Sequence, residues 1–116
     1  MRRLRRVALG SGFLTVLLGL VHISTGMTQF AWPTLAALWF HGSGMALMLI
    51  GALTTLAASE RAWRTLGGVA VVANLLGLTL AVTFGDMTRW NAPQGPALIA
   101  LFVAGALGCV PSLKHP

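Results

Sequence analysis

The chain has 116 residues, 56% of them hydrophobic and 9% charged, with a formal net charge of +6 and a mean hydropathy of +0.81. A soluble globular domain carries about 25% charged residues because its surface faces water; this composition excludes such a domain and makes lipid the solvent for most of the surface. Nucleic acid is not the partner that the positive charge implies, because the basic residues sit beside apolar runs, where membrane topology accounts for them.

Arg2, Arg3, Arg5 and Arg6 open the chain and are followed by an uncharged run from Val7 to Ser59. A bilayer core needs about 20 apolar residues per helix, so this run holds two helices, separated by the turn "TQFAWP". Beyond the charged patch "ERAWR" (60–64) lies a second uncharged run to Gly85, then "DMTR" (86–89), then a third to Leu113. The expected spans are about 7–28, 33–57, 65–85 and 95–113. The reading is therefore all-α: a single integral membrane domain over residues 1–116, folded as a bundle of four transmembrane helices in two hairpins. A signal peptide is the competing reading of the first 26 residues, but the apolar run is long for one and no A-x-A site follows.

Basic residues stay on the cytoplasmic side of a membrane. With the N-terminus inside, Arg2, Arg3, Arg5, Arg6, Arg61, Arg64 and Lys114 all fall inside and only Arg89 falls outside, beside Asp86. That asymmetry predicts a multi-pass protein of the cell membrane (the inner membrane, in a bacterium) with both termini cytoplasmic. Trp32 and Trp90 then fall at the outer boundary and Trp63 at the inner one, where indoles prefer to sit. Cys109 is alone, so it forms no disulfide within the chain, and it reads as a small packing residue.

The halves echo one another. "LLGL" occurs at 17–20 and 75–78, "MT" at 27–28 and 87–88, and Pro33 is matched by Pro93. This is a weak internal duplication of one helical hairpin, with a proline opening the second helix of each. Under the alignment His22 falls on Leu80 and His41 on Leu101, so a site built from the histidines is asymmetric.

Helix association in lipid relies on close packing and collects small residues at interfaces. Gly12, Thr15, Gly19, His22 and Gly26 share one face of the first helix; Ala37, His41, Gly44, Met48, Gly51 and Thr55 share one face of the second; Gly67, Asn74, Gly77, Ala81 and Gly85 share one face of the third. His22, His41 and Asn74 are thus expected to point at neighbouring helices. At 1.5 Å per residue, His22 lies roughly 9 Å inside the outer face and His41 roughly 12 Å, so the two rings are expected level and facing each other, with Asn74 somewhat deeper.

Polar residues inside a membrane are costly and mark functional sites by default. Two level imidazoles suit axial ligation of a haem b or hydrogen bonds to a quinone, with Asn74 lining the cavity, Arg89 near its outer mouth and Gly19, Gly26, Gly42 and Gly44 opening room for a flat ring. A metal site is the second candidate: His22 and His41 with Met45 and Met48, a soft imidazole and thioether set suited to copper(I). The bland alternative is a structural or assembly protein whose histidines make only interhelical hydrogen bonds, of about 0.6 kcal/mol each. Proton-coupled cation export is disfavoured, since Glu60 and Asp86 both fall in loops and no carboxylate lies within a span. Hydrolysis lacks a carboxylate to orient an imidazole, and no phosphate-binding glycine loop or HExxH is present, so the chain reads as a non-enzyme. The expected role is a helper or subunit in a homo-oligomer or larger membrane complex.

Overall fold

The computed structural model describes residues 2–59 and 64–114. Glu60, Arg61 and Trp63, which the sequence places in the loop between hairpins, lie outside the described residues. Four helices follow in order: α1 (Arg2–Gln29), α2 (Leu35–Ala57), α3 (Arg64–Met87) and α4 (Gln94–Cys109), the last continued by a 3-10 turn over Val110–Lys114. There is no strand among the described residues. All four helices, the last counted to Lys114, are long and apolar enough to span a membrane. The chain has the build of a multi-pass membrane protein, and its 47 Å long axis exceeds the roughly 30 Å of a hydrocarbon core.

The helix ends differ from the expected spans for local reasons. α1 reaches back across Arg3, Arg5 and Arg6, because arginine is a good helix former and needs only its head group outside lipid. α2 starts two residues after Pro33, because Thr34 is its N-cap: the Ala37 amide donates to the Thr34 hydroxyl at 3.2 Å. Pro93 occupies the N-cap position of α4.

The helices run up, down, up, down, each packed on the next, with α4 closing the ring against α1. Both hairpin turns lie at one end of the bundle, here the turn end; the start of α1, the close of α2, the start of α3 and the 3-10 turn lie at the other, the termini end. Between α1 and α2 there is a seam where glycines let backbone meet backbone. A Cβ built on Gly12 would lie 2.8 Å from the Gly51 carbonyl oxygen, and one on Gly19 would lie 2.5 Å from that of Gly44. Hydrocarbon tails give no hydrophobic drive for helices to associate, so this backbone-to-backbone approach and its dispersion contacts are what hold the hairpin.

The second hairpin uses larger pieces. Phe102 of α4 fills the notch at Gly77 of α3, and Trp90 fills the notch at Gly85. Phe102 joins Leu47 and Ala81 in a buried cluster towards the turn end; Ala8, Ala57, Ala58, Ala70 and Cys109, all fully buried, form another at the termini end. Three polar contacts fasten that end. The Arg5 guanidinium donates from Nε and Nη2 to the Ala58 carbonyl at 3.1 and 3.0 Å, a cation at a helix C-terminus. The Ser112 hydroxyl donates to the Ala57 carbonyl, and the Cys109 thiol lies 3.8 Å from the Thr54 carbonyl, so Cys109 is a packing residue.

Candidate functional site

The seam sets the level of the histidines. Gly12 stands opposite Gly51 and Gly19 opposite Gly44, so each step of seven along α1 is answered by a step of seven back along α2. That register places residue 22 level with residue 41. The two rings share one depth, near the turn end.

They do not face each other. His22 lies seven residues after Thr15 and fourteen after Ala8, which are buried and turned towards the bundle centre, Ala8 against Gly108 of α4. It lies tilted against Phe40 with ring centroids 5.7 Å apart, and Phe40 stacks on Phe30 at 4.9 Å. His41 shares the face of Met48 and Thr55, which close over Gly19 and Gly12. It covers Gly26 and meets Trp32 edge-on at 5.3 Å. The seam passes between the two imidazoles. The small-residue stripe of each helix is wide enough to hold both of its flanks, and the two histidines occupy different ones.

Their hydrogen bonds determine their chemistry. His22 Nδ1 lies 3.1 Å from the Leu18 carbonyl and His41 Nδ1 lies 2.7 Å from the Ala37 carbonyl, each four residues back on its own helix. A carbonyl can only accept, so in each neutral ring Nδ1 carries the proton and Nε2 carries the lone pair. Two such lone pairs cannot hydrogen-bond each other. No hydrogen bond from the described residues reaches either Nε2, and neither atom is sealed from the surface. Both rings therefore present an acceptor nitrogen, the tautomer that ligating histidines adopt when a backbone carbonyl fixes the other nitrogen.

His41 borders a hollow. Gly26, Met27, Trp32 and His41 line a shallow recess of about 310 Å³, and Trp32 separates it from a second one of about 350 Å³ against Pro33, Thr34, Leu35 and Leu38. Their volumes are at the small end of ligand pockets, which span about 300–1,000 Å³, and both are open to the surface. A porphyrin held between the two imidazoles does not fit: Gly19, Gly26 and Gly44 are occupied by the opposite helix, and of the four glycines expected to make room only Gly42 faces open space.

The remaining candidates lie elsewhere. Asn74 is fully buried and donates from Nδ2 to the Thr54 hydroxyl at 2.7 Å and to the Ala70 carbonyl at 2.8 Å. Thr54 is 13 residues beyond His41 on α2, about 20 Å along the helix. Asn74 thus ties α3 to α2 near the termini end and is not part of the histidine level. Arg89 is exposed on the α3–α4 turn, with a left-handed φ of 50°, followed by Trp90 at 58°. That costly pair of conformations delivers the Trp90 ring to Gly85 and its Nε1 to the Asp86 carboxylate at 3.1 Å; no hydrogen bond carries Arg89 to a histidine. Met48 is engaged over Gly19 and Met45 is 60% exposed, so neither lines the recess. Among the described residues no three His, Cys, Asp or Glu side chains gather. Sequence reasoning missed the pairing of His41 with Trp32; the nine-residue spacing across a turn carries no periodic signal.

Compared with protein-family models, with curated proteins and with solved structures, the chain matches none of them.

Proposed function

We propose that this chain is a small helper or subunit of a larger membrane assembly that holds a flat, hydroxyl-bearing ligand at the recess of His41 and Trp32, a quinol being the chemistry that fits. One observation carries the reading: the Ala37 carbonyl fixes the His41 proton on Nδ1 and leaves Nε2 as an acceptor beside an exposed indole. A quinol hydroxyl donates to Nε2 while its ring lies against Trp32, and Gly26 keeps the floor of the recess low. His22 presents the same acceptor on the other flank of the seam, tilted against Phe40. Haem b ligated by both histidines is disfavoured by the closed seam, and copper by the separation of His22, Met45 and Met48 from the recess.

The test is a titration of the purified, detergent-solubilised protein with a short-chain quinol, read as quenching of tryptophan fluorescence. Quenching is expected to saturate, to vanish in Trp32→Phe, and to need at least about tenfold more ligand in His41→Phe, as for loss of one buried polar contact. Equal titrations by wild type and His41→Phe would overturn the proposal and leave the structural reading. That second reading has its own support: no buried side-chain nitrogen or oxygen among the described residues lacks a partner.

We further place the termini end in the cytoplasm and the turn end outside the cell membrane, because Arg2, Arg3, Arg5, Arg6, Arg64 and Lys114 gather at the former. In a Cys109→Ala background, Asn91→Cys is expected to react with an impermeant maleimide in intact spheroplasts, and Ser59→Cys only after permeabilisation. The reverse pattern would refute the orientation.

A further inference from the structure

We infer that the termini end of the bundle is a docking surface for the headgroups of anionic phospholipids. The inference rests on the multi-pass build and is independent of the histidine recess. Four segments meet at this end through specific contacts. Arg5 of α1 holds the Ala58 carbonyl at the close of α2, Ser112 of the 3-10 turn holds the adjacent Ala57 carbonyl, and a Cβ on Gly67 of α3 would lie 2.8 Å from Ser112 Cβ. Arg2 and Arg6 lie within one helical turn of Arg5, Arg64 within one turn of Gly67, and Lys114 two residues beyond Ser112. The cations are therefore brought to one junction by contacts between helices, and not merely by chain order.

Their exposure divides them by role. Arg5 is half-buried and its guanidinium is engaged on α2, whereas Arg2, Arg3, Arg6, Arg64 and Lys114 are exposed. No Asp or Glu among the described residues lies at this end; Asp86 lies at the other, beside Arg89. A rim of five exposed cations, directly above apolar helix flanks, fits the geometry of a leaflet, with phosphodiester groups at the rim and acyl chains along Val7, Leu56 and Val69, all exposed. Guanidinium groups bind phosphate oxygens bidentately, and each basic residue at a negative membrane surface adds to the attraction.

The experiment compares lipid retention by the full chain in nanodiscs made from equal parts phosphatidylglycerol and phosphatidylcholine, with the lipids nearest the protein counted by mass spectrometry after mild detergent extraction. Wild type is expected to keep phosphatidylglycerol over phosphatidylcholine by at least about tenfold, and to lose that preference in high salt as the charges are screened. The variant R2Q/R3Q/R6Q/R64Q, which spares Arg5 and so the α1–α2 clasp, is expected to retain both lipids equally, and inorganic phosphate is expected not to compete. His41→Phe is expected to keep the full preference, which separates this proposal from the quinol reading. Equal retention of the two lipids by wild type, or a preference that survives the quadruple substitution or high salt, would overturn it.

Discussion

Gly51→Ala will lower the unfolding midpoint of the detergent-solubilised protein by several degrees, whereas Gly42→Ala will leave it unchanged or raise it. Both residues lie within α2 and both changes add one methyl group. At Gly51 that methyl would stand 2.5 Å from the Gly12 carbonyl oxygen and 2.8 Å from the Val16 amide nitrogen. Neither atom is a flexible side-chain tip, so the two helices must part. Overpacking of this kind costs about 1–3 kcal/mol, and the separation also forfeits dispersion contacts along the seam, because a gap of even half an ångström loses a sizeable part of each. Gly42 has nothing within 4 Å of its would-be Cβ, so only helix propensity is felt there, in favour of alanine by roughly 0.5–1 kcal/mol. Equal responses of the two variants in a reversible unfolding assay would mean that the glycine seam is not where the hairpin closes.

Gly105→Ala will destabilise the bundle by about 2 kcal/mol, and Asn74→Ala introduced with it will restore much of the loss. A Cβ on Gly105 would overlap the Asn74 amide oxygen. The amide cannot swing away, because its nitrogen is held by Thr54 and Ala70. Asn74→Ala alone gives up one interhelical hydrogen bond, about 0.6 kcal/mol on average in lipid, and leaves a small void whose lining cannot fully collapse. In the double variant the new methyl group enters that void. The cycle is therefore expected to be non-additive by at least about 1 kcal/mol, as for directly touching residues. Additive losses would show that α3 and α4 do not meet at this pair.

The spans and the small-residue faces were legible in the sequence because lipid imposes simple requirements on both. An uncharged run of sufficient length has few alternatives to a helix, and Gly12, Gly19, Gly44 and Gly51 stand at the helix contact that their spacing implies. The level of the two histidines followed as well, since a short turn fixes the register of antiparallel neighbours. Which flank each ring takes did not follow. Residues at steps of three and four cover a sector of about 100°, and a helix in a ring of four touches two neighbours within such a sector. His22 turned to the bundle centre and His41 to the outside, although both belong to the stripes assigned to them. Nor does any periodicity announce that Asn74 reaches Thr54, 20 residues away in sequence, or that Trp90 turns back on Gly85. Those contacts depend on how the hairpins dock.

The echo between the halves does not carry over whole. The matches of "MT" and of Pro33 to Pro93 are 60 residues apart and would set Gly44 on Ala104, whereas a shift of 58 sets the contacting pair Gly19 and Gly44 on Gly77 and Phe102, which are also in contact. The two hairpins share a register, and the second meets its notch with a phenyl ring where the first brings backbone to backbone.

Most of the hydroxyls in this bundle bond within their own helix. Thr15, Thr25, Thr54, Thr55, Thr79 and Thr83 each donate to the carbonyl four residues earlier, as the two histidines do through Nδ1. Each segment can accordingly leave the translocon and settle in the bilayer singly, with its polar side chains already satisfied, before any partner arrives. Lateral assembly then satisfies few further donors: the Asn74 amide finds its second acceptor on α2, and the Ser112 hydroxyl and the Arg5 guanidinium find theirs there too. Insertion of a segment and its association with a neighbour thus place separate demands on its side chains.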